Sequence, residues 1–261
     1  MHMTIPEGSA WAACRRPVVI AHRGACQQAP EDTLPAFLLA RQIGADGIEL
    51  DTKLTADGQV VILHDQTLER TTDGEGRVVE RSLQELRRLD AGSHFAHAFA
   101  GVGLPTLGEV FAALDPDALI NVEVANYATP TDRLPEATVE LIRQHGVGRR
   151  VLISSFNPLA LWKIGRLMPG LALGLLMTPM QPPWQRRLFP VLGPHGLWHP
   201  FETMITPRMV RASHRRGKWV MAWTVNDRAR MEELVDWGVD GLITDVPDVG
   251  RQVADAAQAA C

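Results

Sequence analysis

Residues 151–177 read VLISSFNPLALWKIGRLMPGLALGLLM, in which two apolar runs flank a segment of helical periodicity. Each run is short and rich in Val, Ile or Leu, which is typical of a strand buried on both faces. Asn157 stands at the start of the intervening segment and is a suitable N-cap for a helix. The stretch therefore predicts a strand, a helix and a second strand, the unit from which parallel sheets are built.

The same alternation extends in both directions along the chain. About eight apolar strands are each followed by a helical segment or a short remnant of one. This number of units and the chain length are typical of a (β/α)₈ barrel, the TIM-barrel fold of the α/β class. Four of the helix starts carry a residue type suited to the N-cap, and these are Thr33 or Asp32, Thr106, Asn157 and Thr206.

We predict a single domain over residues 1–261, because no repeat, low-complexity tract or linker interrupts the pattern. Residues 66–104 are too long for an ordinary connection. They contain one short helical pattern, at 82–89. We therefore predict that they form a small insertion beside the barrel mouth, after a hairpin that follows the second strand.

The composition is that of a globular protein, with 46% hydrophobic and 21% charged residues among 261. A net charge of −4 gives nucleic acid no basic surface, so no such partner is expected. Cys14, Cys26 and Cys261 are too few and too irregularly spaced for a disulfide framework or a zinc site. No signal peptide pattern or membrane-length apolar run is present, which predicts a cytoplasmic protein without stable membrane insertion. The oligomeric state is not indicated.

Residues 47–65, GIELDTKLTADGQVVILHD, carry polar side chains at both ends of a predicted hairpin. The Asp-Gly pair at 57–58 is a strong turn signal, and pairing about it would set Asp51 opposite His64. Glu49 and Asp51 share one face of the strand. Their mutual repulsion would be relieved by a hard cation such as Mg²⁺ or Ca²⁺, although charges at a wet strand end are the alternative for an isolated pair.

Polar residues stand at the carboxyl ends of most predicted strands, where the active sites of this fold form. They are His22-Arg23-Gly24, Glu49 and Asp51, Glu123 and Asn126, Ser155, and Trp223 with Asn226. The three carboxylates among them, contributed by Glu49, Asp51 and Glu123, are enough to hold one hard cation. The sequence therefore predicts a divalent cation site at the barrel mouth.

The remaining strand-end residues suit phosphoryl chemistry. His22 and His64 flank the carboxylates, and imidazole moves protons near neutral pH. Arg23 offers a planar fork to a phosphate group, or alternatively an ion pair with Glu31 at the barrel rim. Trp223 could supply an apolar wall for a leaving alcohol.

Five segments resemble the glycerophosphodiester phosphodiesterase family in order and spacing, and they are AHRGACQQAPEDTLPAF, GADGIELDTKLTADGQVVILHD, LPTLGEV, NVEVAN and AWTVN…GVDGLITDVPD. The resemblance runs from about residue 17 to residue 248. It implies a (β/α)₈ barrel that uses Ca²⁺ or Mg²⁺ to hydrolyse small-molecule glycerophosphodiesters to glycerol 3-phosphate and an alcohol. Carried over by motif, it implies the catalytic pair His22 and His64, the metal ligands Glu49, Asp51 and Glu123, and the phosphate contact Arg23.

The resemblance also implies a mechanism. The glycerol 2-hydroxyl attacks phosphorus and expels the alcohol, and water then opens the resulting cyclic phosphate. Resemblance to related barrel phosphodiesterases favours His22 as the first base and His64 as the first acid, whereas the sequence alone treats the two alike.

Two positions depart from the family pattern. Asp32 stands where the family has Asn, which we interpret as a mild change at a helix cap. Ala125 stands two residues after Glu123, where the family has Lys. Three explanations are open: Arg23 and the cation suffice, Asn126 or a residue from another strand compensates, or the preferred substrate differs.

Two alternative functions remain open at this point. The first is a lysophospholipase D or sphingomyelinase D-like activity, which would use the same site with a longer apolar groove. The second is a non-catalytic phosphodiester-binding barrel, which the missing lysine suggests.

Overall fold

The computed structural model describes residues 4–14, 16–126, 129–191 and 195–259. Nine strands in these residues form one sheet, and they are β1 Val18–His22, β2 Gly47–Leu54, β3 Val60–Ile62, β4 Leu119–Val124, β5 Val151–Ser155, β6 Ala172–Met177, β7 Leu197–Pro200, β8 Trp219–Ala222 and β9 Gly241–Thr244. All but β3 are parallel, and β1 pairs with both β2 and β9, which closes a ring of eight. The predicted (β/α)₈ barrel is confirmed.

Helices surround this ring. The described residues form α1 Ala10–Ala13, α2 Leu34–Gln42, α3 Leu83–Leu86, α4 Leu107–Ala113, α5 Leu134–His145, α6 Pro158–Leu167, α7 Pro183–Leu188, α8 Pro207–His214, α9 Arg228–Asp236 and α10 Pro247–Ala259. The predicted caps Thr106, Asn157 and Thr206 each accept a hydrogen bond from a backbone N–H of the first turn. Thr33 is the N-cap residue of α2, although its hydroxyl donates to the Pro30 carbonyl instead.

The barrel interior is apolar at its amino end and polar at its mouth. Val18, Ile20, Leu152 and Met221 pack inside the amino end against Trp11 of α1. The Trp11 indole is fully buried and donates to the Arg150 carbonyl at 3.0 Å. Because α1 covers the amino end, the open cavity lies at the carboxyl ends of the strands.

The hairpin register differs from the predicted one. Thr52 pairs with Ile62, and the Leu63 N–H donates to the Asp51 carbonyl at 2.9 Å, so Asp51 lies opposite Leu63 and not His64. The reason is the turn, which has a three-residue loop at 56–58 with Gly58 at φ +78°. A three-residue loop moves the centre of the pairing by half a residue relative to the two-residue Asp-Gly loop that was predicted. His64 lies beyond the end of β3, at a bend, and reaches the mouth from there.

Residues 66–104 pack on β3 with a small apolar cluster of their own, which includes Leu68, Val78 and Leu86. The helical pattern at 82–89 forms only α3, which begins with a capping box of Ser82 and Glu85. In the described part of the chain, every helix is too short or too polar to cross a membrane. Cys14 and Cys26 are free thiols, and Cys261 lies outside the described residues.

Candidate active site

A cavity of about 420 Å³ opens at the carboxyl ends of the barrel strands. The seven predicted site residues all line it, and they are His22, Arg23, Glu49, Asp51, His64, Glu123 and Trp223. The fold brings them together because parallel strands end at one face of the barrel, where β1, β2, β4 and β8 each deliver a polar or aromatic side chain.

Three buried carboxylates form a compact cluster at the base of the cavity. One oxygen each from Glu49, Asp51 and Glu123 lies within 4.8 Å of the other two. The register accounts for this, because Asp51 on β2 is the direct neighbour of Glu123 on β4, while Glu49 precedes Asp51 on the same face. Carboxylate oxygens at this spacing are the donor set of a hard cation.

The protonation of this cluster reflects its burial. Burial, followed by the charges of Asp51 and Glu123, raises the pKa of Glu49 well above its usual value. Burial and the Asp51 charge raise the pKa of Glu123 to about 8, against the opposing charges of Lys53 and Arg23. The cluster therefore retains protons near neutral pH, and a bound cation would replace them.

His22 is held by a carboxylate from the opposite end of the chain. Its Nδ1 lies 2.6 Å from Asp245 Oδ1, and its Nε2 lies 4.0 Å from Glu49 Oε2. Burial alone would raise the pKa of Asp245, but hydrogen bonds and charge from His22 and the amide of Asn226 lower it to about 2. An ionised acceptor favours a proton on Nδ1, which leaves Nε2 as the basic nitrogen beside the cluster.

His64 has an equivalent partner on the other side of the cavity. Its Nδ1 lies 2.5 Å from Asp65 Oδ1. Arg70, from the 66–104 segment, binds Asp65 at 2.6 Å and Glu31 at 2.8 Å. Hydrogen bonding by Arg70 outweighs burial and lowers the pKa of Asp65 to about 2. The segment thus fixes the orientation of His64 through a chain of charged groups.

Arg23 lies in a strained loop after β1. It adopts φ +55°, and Gly24 follows at φ +83° with the backbone of Ala36 too close to admit a Cβ. Nη1 of Arg23 lies 2.9 Å from Glu31, and this contact is the ion pair at the barrel rim that the sequence suggested. Nε of Arg23 lies 3.4 Å from Asp51. The guanidinium is therefore anchored at the cavity wall.

Asp32 is not the helix cap that the sequence indicated. It precedes the N-cap, adopts φ +57° and is buried beside the site. Burial and the Asp51 charge raise its pKa well above the usual value, which favours the uncharged acid. The Asp that stands where the resemblance implies Asn is thus in surroundings that favour its neutral form.

Two further polar side chains of the cavity make no hydrogen bond to the part of the chain that the structure describes. The Asn121 amide is buried on the floor, beside Glu49 in the register, and makes no hydrogen bond to the described residues. The same holds for the Ser154 hydroxyl, which lies beside Glu123. Such groups are left for a substrate or solvent.

The opposite wall is aromatic. The rings of Phe156 and Phe201 meet Trp223 edge to face at 5.6 and 5.4 Å between centroids. The Trp223 indole donates to the His199 carbonyl at 2.6 Å, which fixes its orientation. This wall suits the apolar part of a ligand.

Sequence reasoning missed the carboxylates of Asp65 and Asp245 and the buried Lys53. Asp65 follows His64 directly, and Asp245 follows β9, so their positions at strand and hairpin ends were the available signal. Asn126, a candidate to compensate for the missing lysine, donates to Asp132 and accepts from Asn157, and so it is engaged outside the cavity.

Comparison with known proteins agrees with this geometry. The sequence model of the glycerophosphoryl diester phosphodiesterase family matches residues 22–249. A glycerophosphodiester phosphodiesterase of Caldanaerobacter subterraneus subsp. tengcongensis is 41% identical over 233 residues, which are 88% of this chain and 95% of the relative.

Solved structures show the same relationship. A phosphodiesterase from Oleispira antarctica, in complex with the product sn-glycerol-3-phosphate, superposes with a TM-score of 0.84 at 33% identity and covers 94% of this chain and 98% of its own. A glycerophosphodiester phosphodiesterase from Agrobacterium tumefaciens has a TM-score of 0.75 at 30% identity, with 90% and 99% coverage. With a family match over most of its length, this chain belongs to the glycerophosphoryl diester phosphodiesterase family of hydrolytic enzymes.

Proposed function

We propose that the protein is a metal-dependent glycerophosphodiesterase that releases glycerol 3-phosphate and an alcohol. The observation that carries this proposal is the cluster of Glu49, Asp51 and Glu123 between two histidines, each oriented by an aspartate. The product bound to the Oleispira antarctica relative supports the choice of substrate.

The cation would be held by Glu49, Asp51 and Glu123. Their buried oxygens fit Mg²⁺ or Ca²⁺, since all three donors are carboxylates and no histidine or cysteine joins the cluster within the described residues. A bound cation would neutralise charge on the phosphodiester. Binding of the cation would require the carboxyl groups to lose their protons.

The two histidines divide the proton transfers. His22 Nε2, near the carboxylates, removes a proton from the glycerol 2-hydroxyl, which attacks phosphorus and forms a cyclic phosphate. His64 gives a proton to the departing alcohol, and the roles reverse when water opens the ring. Asp245 and Asp65 stabilise the imidazolium in each case, as a carboxylate on Nδ1 does in other catalytic sites.

Substrate contacts come from the remaining lining. Arg23 offers its guanidinium to a phosphate oxygen. Asn121 provides a buried amide for an oxygen of the glycerol phosphate, and Trp223 packs against the leaving group. These roles follow from position and chemistry.

We assign to Lys53 the charge that Ala125 lacks. Lys53 is 3% exposed and shares the β2 face of Asp51. The register that pairs Thr52 with Val124 sets Lys53 beside Ala125. Its ammonium lowers the pKa of Glu123, so its charge acts at the cluster. A lysine on the neighbouring strand thus occupies the place of one on β4.

Moving the lysine from position 53 on β2 to position 125 after β4 tests this assignment. Lys53→Met should lower turnover about tenfold or more, equivalent to ~1.4 kcal/mol of barrier. Adding Ala125→Lys should restore most of it, because the charge returns to the same place from the adjacent strand. Ala125→Lys alone should give no gain, since two buried ammonium groups would be crowded and desolvated. Steady-state kinetics of the three variants decide, and a rise in turnover for Ala125→Lys alone would refute the role of Lys53.

The function itself is tested by measuring glycerol 3-phosphate release from glycerophosphocholine. We expect turnover that chelator abolishes and that Mg²⁺ or Ca²⁺ restores. Tight binding of the diester without turnover would identify a non-catalytic barrel. Turnover of lysophosphatidylcholine but not of glycerophosphocholine would identify a lysophospholipase D.

A further inference from the structure

The exposed apolar side chains are concentrated in residues 159–191, on α6, on α7 and in the segments beside α7. Eight large apolar residues are exposed in the part of the chain that the structure describes, and only Leu38 and Phe95 lie elsewhere. The other six form what we call the apolar rim, and they are Leu159, Trp162, Met180, Trp184, Leu188 and Val191. Met180 is 91% exposed and Val191 76%. Such clustering marks an interaction surface, whereas scattered exposed side chains do not.

The rim borders the active site through Met180, which lines the active-site cavity. A second cavity of about 470 Å³ lies between α6 and α7, lined by Pro158 on one side and by Gln185 and Phe189 on the other. It shares Phe156 and Thr178 with the active-site cavity. Any partner that covers the rim would therefore lie over the entrance used by the substrate.

The charged side chains of the segment that contains the rim have one sign, although Lys163 lies 2.5 Å from Glu136 of α5. Residues 157–201 contain no Asp or Glu, although the whole chain carries a net charge of −4. Their basic side chains are Lys163, Arg166, Arg186 and Arg187. Exposed tryptophan and aliphatic side chains among Arg and Lys are typical of segments that bind the boundary between lipid head groups and acyl chains.

We propose that the apolar rim docks the protein on the surface of an anionic phospholipid bilayer. The charge argues against a second copy of this chain as the occupant, because a two-fold contact would bring Arg166, Arg186 and Arg187 of one copy towards the same side chains of the other. An anionic surface is complementary to the same charges. The evidence for docking comes from the rim and does not depend on the proposed function. One consequence does rest on the proposed function: the docked cavity would face diesters produced at the membrane surface.

Sedimentation with vesicles tests the docking. The wild-type protein should bind vesicles of equal parts phosphatidylglycerol and phosphatidylcholine, and bind pure phosphatidylcholine more weakly. Trp184→Ser with Leu188→Ser should weaken binding about tenfold or more, because two apolar side chains lose their burial. Leu38→Ser is the matched control, since Leu38 on α2 is 41% exposed against 44% for Leu188. It should leave binding unchanged.

Three results would overturn the proposal. They are failure of the wild type to bind anionic vesicles, equal binding to both vesicle types, and equal loss in the Leu38→Ser control. A fourth such result could come from light scattering. If the wild type is a dimer and the Trp184→Ser change dissociates it, the rim is an interface between two copies of this chain. Turnover of soluble glycerophosphocholine is measured in parallel and should be unchanged in every variant. If the wild type does not turn over glycerophosphocholine, that result would count against the proposed function and not against the docking.

Discussion

Replacing His22 or His64 with Ala is expected to lower turnover of glycerophosphocholine by about a hundredfold or more, the usual effect of losing a general acid or base. Both imidazoles line the cavity, and each is oriented by an ionised aspartate on Nδ1. Both variants should still fold, because each histidine lies at the cavity and outside the apolar core. His94→Ala, at an exposed position in the 66–104 segment, is the control and should retain full activity.

The leaving group separates the two roles. A nitrophenyl ester of glycerol phosphate releases a stable anion that needs no proton, so His64→Ala should recover most of its activity on this substrate. His22→Ala should stay impaired, because the 2-hydroxyl still has to be deprotonated. Recovery by His22→Ala instead would reverse the assignment of base and acid. Equal impairment of both variants on both substrates would contradict the division of roles.

The sequence predicted the fold because its signals are repeated. Each strand is an apolar run followed by a helix with its own cap, as at Asn157 and Thr206, so an error in one element does not change the architecture. It also predicted seven of the side chains that line the cavity, since parallel strands end at the same face. It missed Asn121 and Ser154, and Ser155, which was expected at the mouth, donates to the Val124 carbonyl instead. Local alternation along β2 was sufficient to place Glu49 and Asp51 together.

The features that the sequence did not predict depend on how segments of the chain pair and contact one another. The hairpin register depended on whether the Asp-Gly turn has two or three residues in its loop, and the composition of the turn does not separate these cases. Asp245 reaches His22 across 223 positions of the chain. Lys53 could be related to Ala125 only once the register of β2 against β4 was known. The last two are relations between distant segments that no single motif contains.

Glu123→Gln should weaken binding of Mg²⁺ or Ca²⁺ and lower turnover together, because the amide keeps the shape of the ligand and removes its charge. Loss of even an outer partner of a metal ligand costs about ten- to a hundredfold in affinity or activity, and loss of a ligand should cost at least that. Calorimetric titration of the cation and steady-state kinetics measure the two effects. Full activity of the variant at low metal concentration would exclude Glu123 as a ligand.

Glu123 also contributes to the pH dependence of metal-free stability and of cation affinity. Its pKa is raised to about 8 in the metal-free protein by burial and Asp51. Because the folded protein then binds more protons than the unfolded chain, metal-free stability should fall as pH rises from the ordinary glutamate range, about 4.3, through 8. Cation affinity should rise over the same interval, since binding displaces the proton. In Glu123→Gln both slopes should be smaller, although Glu49 still contributes. Melting temperatures and cation titrations at pH 6 to 9 check this, and equal slopes in the two proteins would show that the retained protons belong elsewhere in the cluster.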